Sequence, residues 1–102
     1  MAEAFRVAQG EDGAWSVAGE LDIATSSRLV ETMKAHAPFP GDLRLDLREL
    51  RFVDSRGIHA LLQLTEIVGE GRSVVLMGAR PEVRRVVDLV RLAAAPGITL
   101  ED

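Results

Sequence analysis

Leu43-Arg-Leu-Asp-Leu-Arg-Glu-Leu-Arg-Phe-Val-Asp-Ser-Arg-Gly-Ile-His-Ala-Leu-Leu62 is the stretch that decides how this chain of 102 residues folds. Leu43, Leu45 and Leu47 alternate with Arg44, Asp46 and Arg48, the signature of a strand with one buried face. After Asp54-Ser55-Arg56-Gly57 the spacing changes. Ile58, Leu61, Leu62, Thr65 and Val68 follow the i, i+3, i+4 rule of a helix, with Thr65 the one polar member. Ser55 therefore stands at a strand-to-helix corner, near the first turn of a helix. A hydroxyl there sees backbone N–H groups and the positive end of the helix dipole, so a phosphate on it would be well accommodated.

Upstream, residues 5–9 and 14–19 are short β-like runs separated by Gly10-Glu-Asp-Gly13, a four-residue hairpin signal. Beyond Gly19-Glu20-Leu21-Asp22 the residues Leu29, Val30, Met33 and Ala37 fall on one helical face, closed by Pro38 and Pro40-Gly41. Downstream, Gly69 and Gly71 end the second helix, and Ser73-Val-Val-Leu-Met77 reads as a strand buried on both faces, as in parallel sheets. Pro81 opens a third helix whose inner stripe is Val83, Val86, Val87 and Val90, with Pro96-Gly97 as its stop. Residues 98–100 form a last short strand. The expected order is ββαβαβαβ: an α/β fold with a small mixed sheet, helices packed on it, and one domain over residues 1–102. Strands 43–47 and 73–77 are expected to be central and parallel, with Leu45, Leu62, Val75 and Val87 in the core. Trp15 and the three phenylalanines are also placed in the core.

A hydrophobic content of 47% and a charged content of 27% fit a globular protein rather than a disordered one. The net charge of −4 argues against a nucleic-acid partner, which demands a basic face. Lys34 is the sole lysine, and apart from Arg84-Arg85, read as a solvated helix face, the arginines are scattered. The absence of cysteine excludes disulfides and thiolate metal sites and permits a reducing compartment. Residues 1–6 carry no signal-peptide pattern, and no apolar run approaches the roughly 20 residues of a membrane span. A cytoplasmic location is expected.

Gly19-Glu-Leu-Asp-Ile-Ala-Thr25 and Leu45-Asp-Leu-Arg-Glu-Leu-Arg-Phe-Val-Asp-Ser-Arg-Gly-Ile58 resemble the STAS family, and within it the bacterial anti-sigma factor antagonists. The likeness spans nearly the whole chain, element order included. In that family an aspartate, a phosphorylatable serine, a small or polar residue and a glycine follow one another, the places held here by Asp54, Ser55, Arg56 and Gly57. The resemblance implies partner switching. The unphosphorylated antagonist binds an anti-sigma factor that is also a serine kinase; the kinase inactivates it by phosphorylating the serine, and a serine phosphatase restores it. It further implies that Asp22 lies near Ser55 on the partner-facing surface, and no cofactor is implied. Many family members have Ser or Thr where this chain has Arg56, whose guanidinium could pair with a phosphoserine or alter which kinase accepts the site. Some members act instead as unphosphorylated modules of lipid-transport or stress-sensing assemblies, and that alternative stays open.

Each candidate also has a plain structural use. Ser55 is a good helix N-cap, a role worth about 1 kcal/mol and compatible with modification. Asp54 could accept backbone N–H bonds at the turn or shape the acceptor site. Gly57 allows a helix to approach the sheet closely, and either Asp22 or Thr25 could cap the first helix. His36 and His59 have no neighbour at ligand spacing, so no metal site is expected, and His59 is read as an exposed helix residue. A serine hydrolase is excluded: Val53 occupies the glycine position of the nucleophile elbow, and His59 lies on the helix directly after the serine, whereas the hydrolase order puts the histidine far downstream. A phospho-aspartate receiver using Asp46 or Asp54 is excluded because Lys34 precedes both and no acidic cluster accompanies them. No catalytic residue is assigned.

Overall fold

The computed structural model describes residues 4–101; Met1–Glu3, part of the segment read for a leader, lie outside the described residues. The elements are β1 (Arg6–Gln9), β2 (Trp15–Leu21), α1 (Ser26–His36), β3 (Leu43–Asp46), β4 (Leu50–Val53), α2 (Ser55–Val68), β5 (Val74–Met77), α3 (Pro81–Leu89), a 3-10 turn (Leu92–Ala94) and β6 (Ile98–Glu101). One mixed sheet takes the order β1-β2-β3-β5-β6, with β4 paired to β2 off this path. The β1–β2 hairpin is antiparallel and all other pairs are parallel. The hairpin closes as read, through Gly10 N–H to the Ala14 carbonyl and the Asp12 carboxylate accepting from Ala14 N–H.

The order differs from the expected one by a strand. The segment leading to Asp54 is broken in two, because Leu47–Glu49 form a tight turn in which Leu50 N–H donates to the Leu47 carbonyl. Both pieces pair with β2: Trp15 and Ser16 lie against Leu45 and Asp46, and Glu20 and Leu21 against Phe52 and Val53. The change of partner coincides with an irregularity of register at Gly19 and Glu20. Gly19 has φ +93°, and a Cβ there would stand 3.0 Å from Phe5 Cα, so both its backbone and its neighbour require glycine.

Leu29, Val30 and Met33 of α1, Ile58, Leu61, Leu64 and Val68 of α2, and Val83 and Val87 of α3 share one apolar cluster with Val17, Leu21, Leu43, Leu45, Val74 and Leu76 of the sheet. Fully burying one such side chain stabilises the fold by about 1.5–3 kcal/mol. Strands β3 and β5 are parallel neighbours in the middle of the sheet, as expected, and Leu45, Val75 and Val87 are buried. Leu62 is only partly buried. The helix turns Leu64 inward instead and leaves Leu62 and Thr65 on its flank. Trp15, Phe5 and Phe39 are core residues, but Phe52 is 47% exposed: the buried positions of the four-residue β4 are Leu50 and Val53, which leaves Arg51 and Phe52 outward. Helix α3 ends at Leu89, well short of Pro96. Arg91 takes a left-handed conformation at φ 55°, which breaks the helical path and leaves Val90 50% exposed.

Candidate functional site

Strands β2 and β4 run parallel and end together, at Leu21 paired with Val53. The chain leaves both strands at the same edge of the sheet, into the Asp22 turn and into α2. Asp54 N–H donates to the Leu21 carbonyl at 3.2 Å and ties the two exits together. The structure thus brings Asp22 to the Ser55 corner, one residue beyond the carbonyl that holds Asp54.

The corner itself is organised by Asp54. Its backbone is extended, and its carboxylate accepts the Gly57 N–H at 2.9 Å, which makes Asp54 the N-cap of α2. Its own carbonyl accepts the Ile58 N–H, the first bond of the helix. Ser55 is therefore the first residue inside the helix and not its cap. Its side chain is exposed and its hydroxyl makes no hydrogen bond among the described residues. The first-turn N–H groups of Ser55 and Arg56 have no intrahelical acceptor, and no acidic side chain stands in that turn.

Gly57 explains how close α2 comes. A Cβ at this position would collide with the Leu21 carbonyl oxygen and lie 2.7 Å from a Val53 methyl. Only glycine lets the first turn rest on the paired ends of β2 and β4. Arg56 is exposed beside Ser55.

The Asp22 turn is equally built. Asp22 accepts from Ala24 N–H at 2.9 Å and from Thr25 N–H at 3.2 Å, through one carboxylate oxygen. The Thr25 hydroxyl accepts from Asp22 N–H at 3.0 Å and donates to the Glu20 carbonyl at 2.7 Å. Thr25 holds the N-cap position of α1, yet its hydroxyl faces back into the turn and caps nothing. Both residues weighed as caps are used instead to fold this loop. The result holds Ile23 outward, 69% exposed. Neither the exposure of Ile23 nor that of Phe52, expected in the core, follows from the residue spacing. The one available signal was an apolar residue inside an Asp-x-x-Thr turn, off every helical stripe.

His59 is exposed as read, and His36 stacks edge-on against Trp15 with centroids 4.7 Å apart. No group of three or more metal-ligating side chains exists among the described residues. No described helix is long and apolar enough to cross a membrane.

The family model described as "Mlab, STAS domain" matches residues 5–100. The chain belongs to the STAS domain family. Among solved structures, this STAS domain is similar to a Thermotoga maritima protein provisionally described as an anti-sigma factor antagonist. The TM-score is 0.74 at 18% identity, covering 96% of this chain and 86% of the other. It is also similar to the anti-sigma factor antagonist SpoIIAA in its unphosphorylated form, with a TM-score of 0.69 at 20% identity over 95% of this chain and 87% of the other. At these identities the likeness is one of fold. No curated protein matches the chain.

Proposed function

We propose that this STAS domain is an anti-sigma factor antagonist, controlled by phosphorylation of Ser55. The observation that carries the reading is the division of labour at the corner. Asp54 does the capping, so the Ser55 hydroxyl is exposed, unbonded and available to a kinase without loss of the helix start. Asp22, Asp54, Ser55 and Arg56 form the partner-binding surface, Gly57 supports it from beneath as a buried contact with the sheet, and the exposed Ile23 and Phe52 give it apolar contact area. The partners are an anti-sigma factor with serine kinase activity and a serine phosphatase. Two structural neighbours are described as anti-sigma factor antagonists, one of them in an unphosphorylated form, which supports the same role.

The switch works through local charge. Phosphorylation adds about −1.5 to −2 charges and three acceptor oxygens at a helix N-terminus. The dipole favours such a charge by about 0.3–1 kcal/mol, so the fold tolerates it. A partner packed over Ser55 does not, since desolvating an unpaired anion costs several kcal/mol.

Incubation with candidate anti-sigma kinases and ATP, followed by intact-mass measurement and site mapping, tests the proposal. One phosphate on Ser55 is expected, and none on Ser55→Ala. Phosphate on Ser16, Ser26, Ser27 or Ser73 with Ser55→Ala modified normally would end it. A second reading, an unphosphorylated subunit of a larger assembly, is favoured by Arg56, whose guanidinium would offset part of the charge that a switch relies on. Absence of phosphorylation by every such kinase is its expected result.

A further inference from the structure

A second feature adjoins the corner. Helices α1 and α2 start from the paired ends of β2 and β4 and pack side by side. Between them lies a groove of about 340 Å³ whose lining includes Ser26, Glu31, Lys34, Arg56, His59 and Gln63. In a chain of net charge −4, the sole lysine, an arginine and one of the two histidines gather there. Glu31 is the one acidic residue in that lining, and it meets Lys34 only at 3.9 Å with both side chains largely exposed, a weak contact. Arg56 makes no ion pair or hydrogen bond among the described residues. Ser26 and Arg56 belong to the first turns of their helices, so the positive ends of both dipoles add to the side-chain charge.

We propose that this groove is a docking site for an acidic peptide segment of a partner protein. Charge complementarity selects the occupant: the lining sets two cations against the single Glu31, and apart from Val30 its other members are serine, glutamine and histidine, so it suits carboxylates better than an apolar chain. Its walls are long enough for several side chains in succession, from Ser26 to Lys34 on α1 and from Arg56 to Gln63 on α2. Because Arg56 belongs both to the groove and to the Ser55 corner, an occupant of the groove can be part of the molecule that covers the corner. That last link rests on the function proposed above; the groove chemistry does not.

The test is an NMR titration of the isotope-labelled, unphosphorylated chain with an end-blocked hexaglutamate peptide at low salt, with hexalysine as control. Saturable shifts are expected at the amides of Lys34, Arg56, His59 and Gln63, with none from hexalysine. Lys34→Glu and Gln63→Glu should each weaken the peptide by about tenfold, while Arg85→Glu on α3 leaves it unchanged. The milder Lys34→Ala, checked by thermal melting, guards against misfolding and should weaken binding less. Shifts that follow Arg85 instead, affinity unaffected by Lys34→Glu, or no saturable binding would overturn the proposal. Inorganic phosphate saturating the same amides as strongly as the peptide would assign the groove to a small anion and overturn it too. No kinase or anti-sigma factor enters this titration, so its failure leaves the Ser55 switch standing, and failure of the switch leaves the groove standing.

Discussion

At the residue scale, three neighbours at the corner have separable jobs. Asp54 satisfies an orphan N–H of α2, so Asp54→Ala should cost about 1 kcal/mol and lower the melting temperature by about 4–8 °C for a domain of this size. Gly57 permits contact, so Gly57→Ala should destabilise by about 1–3 kcal/mol in urea unfolding. Alanine is the better helix former, but here its methyl meets a backbone carbonyl that cannot step aside. Ser55 does neither job. Ser55→Ala and Ser55→Glu should both melt close to wild type, and a drop comparable to that of Asp54→Ala would show that the hydroxyl is structural. These costs order the corner as Gly57, Asp54, Ser55 for stability, and the reverse for partner control.

At the element scale, the β3–β4 turn offers a pH-dependent check. Arg48 donates through Nε and Nη2 to the Asp46 carboxylate, with an ion-pair distance of 2.7 Å. That side-chain hydrogen bonding, ahead of the opposing cost of burial, holds the Asp46 carboxyl below its ordinary value. A depressed carboxyl pKa stabilises the fold above the unfolded-state value and loses that contribution as pH falls through the folded-state value. Arg48→Ala should therefore cost about 0.2–1 kcal/mol near neutral pH, and the difference from wild type should shrink in acid. A gap that widened in acid would contradict the assignment. This turn is also where the sequence was hardest to read. Leu43 to Leu47 alternate cleanly, and the 3.6-residue spacing after Ile58 is plain, so the flanking strand and helix were legible. The break at Leu47–Glu49 was not, because it depends on β2 changing partner at Gly19, a long-range event with no local signal. The end of α3 escaped for a related reason: Arg91 adopts a left-handed conformation unusual for arginine. At the site, Asp54-Ser55-Arg56-Gly57 stood out in the sequence, but which of Asp54 and Ser55 caps the helix needed the backbone to decide.

At the scale of the whole molecule, the helices pack into one continuous apolar core with the sheet, and the corner lies where two parallel strands end. Such a core resists small changes at its surface, so a charge added at Ser55 has no buried element to displace. Control of binding is then expected without rearrangement, and the amide spectrum of the phosphorylated protein should differ from the unmodified one only around the β2–α1 loop and the first turns of α2. Widespread shifts would replace the local mechanism with a conformational one. Arg56 sets the depth of the switch: if its guanidinium pairs with the phosphate, Arg56→Ala should widen the difference in partner affinity between the two forms. The most direct measurement is calorimetric titration of the anti-sigma partner with the unphosphorylated protein and with protein phosphorylated at Ser55. Tight binding is expected for the first, retained by Ser55→Ala, and a loss of at least about tenfold for the second and for Ser55→Glu. Equal affinities for the phosphorylated and unphosphorylated forms would contradict the switch.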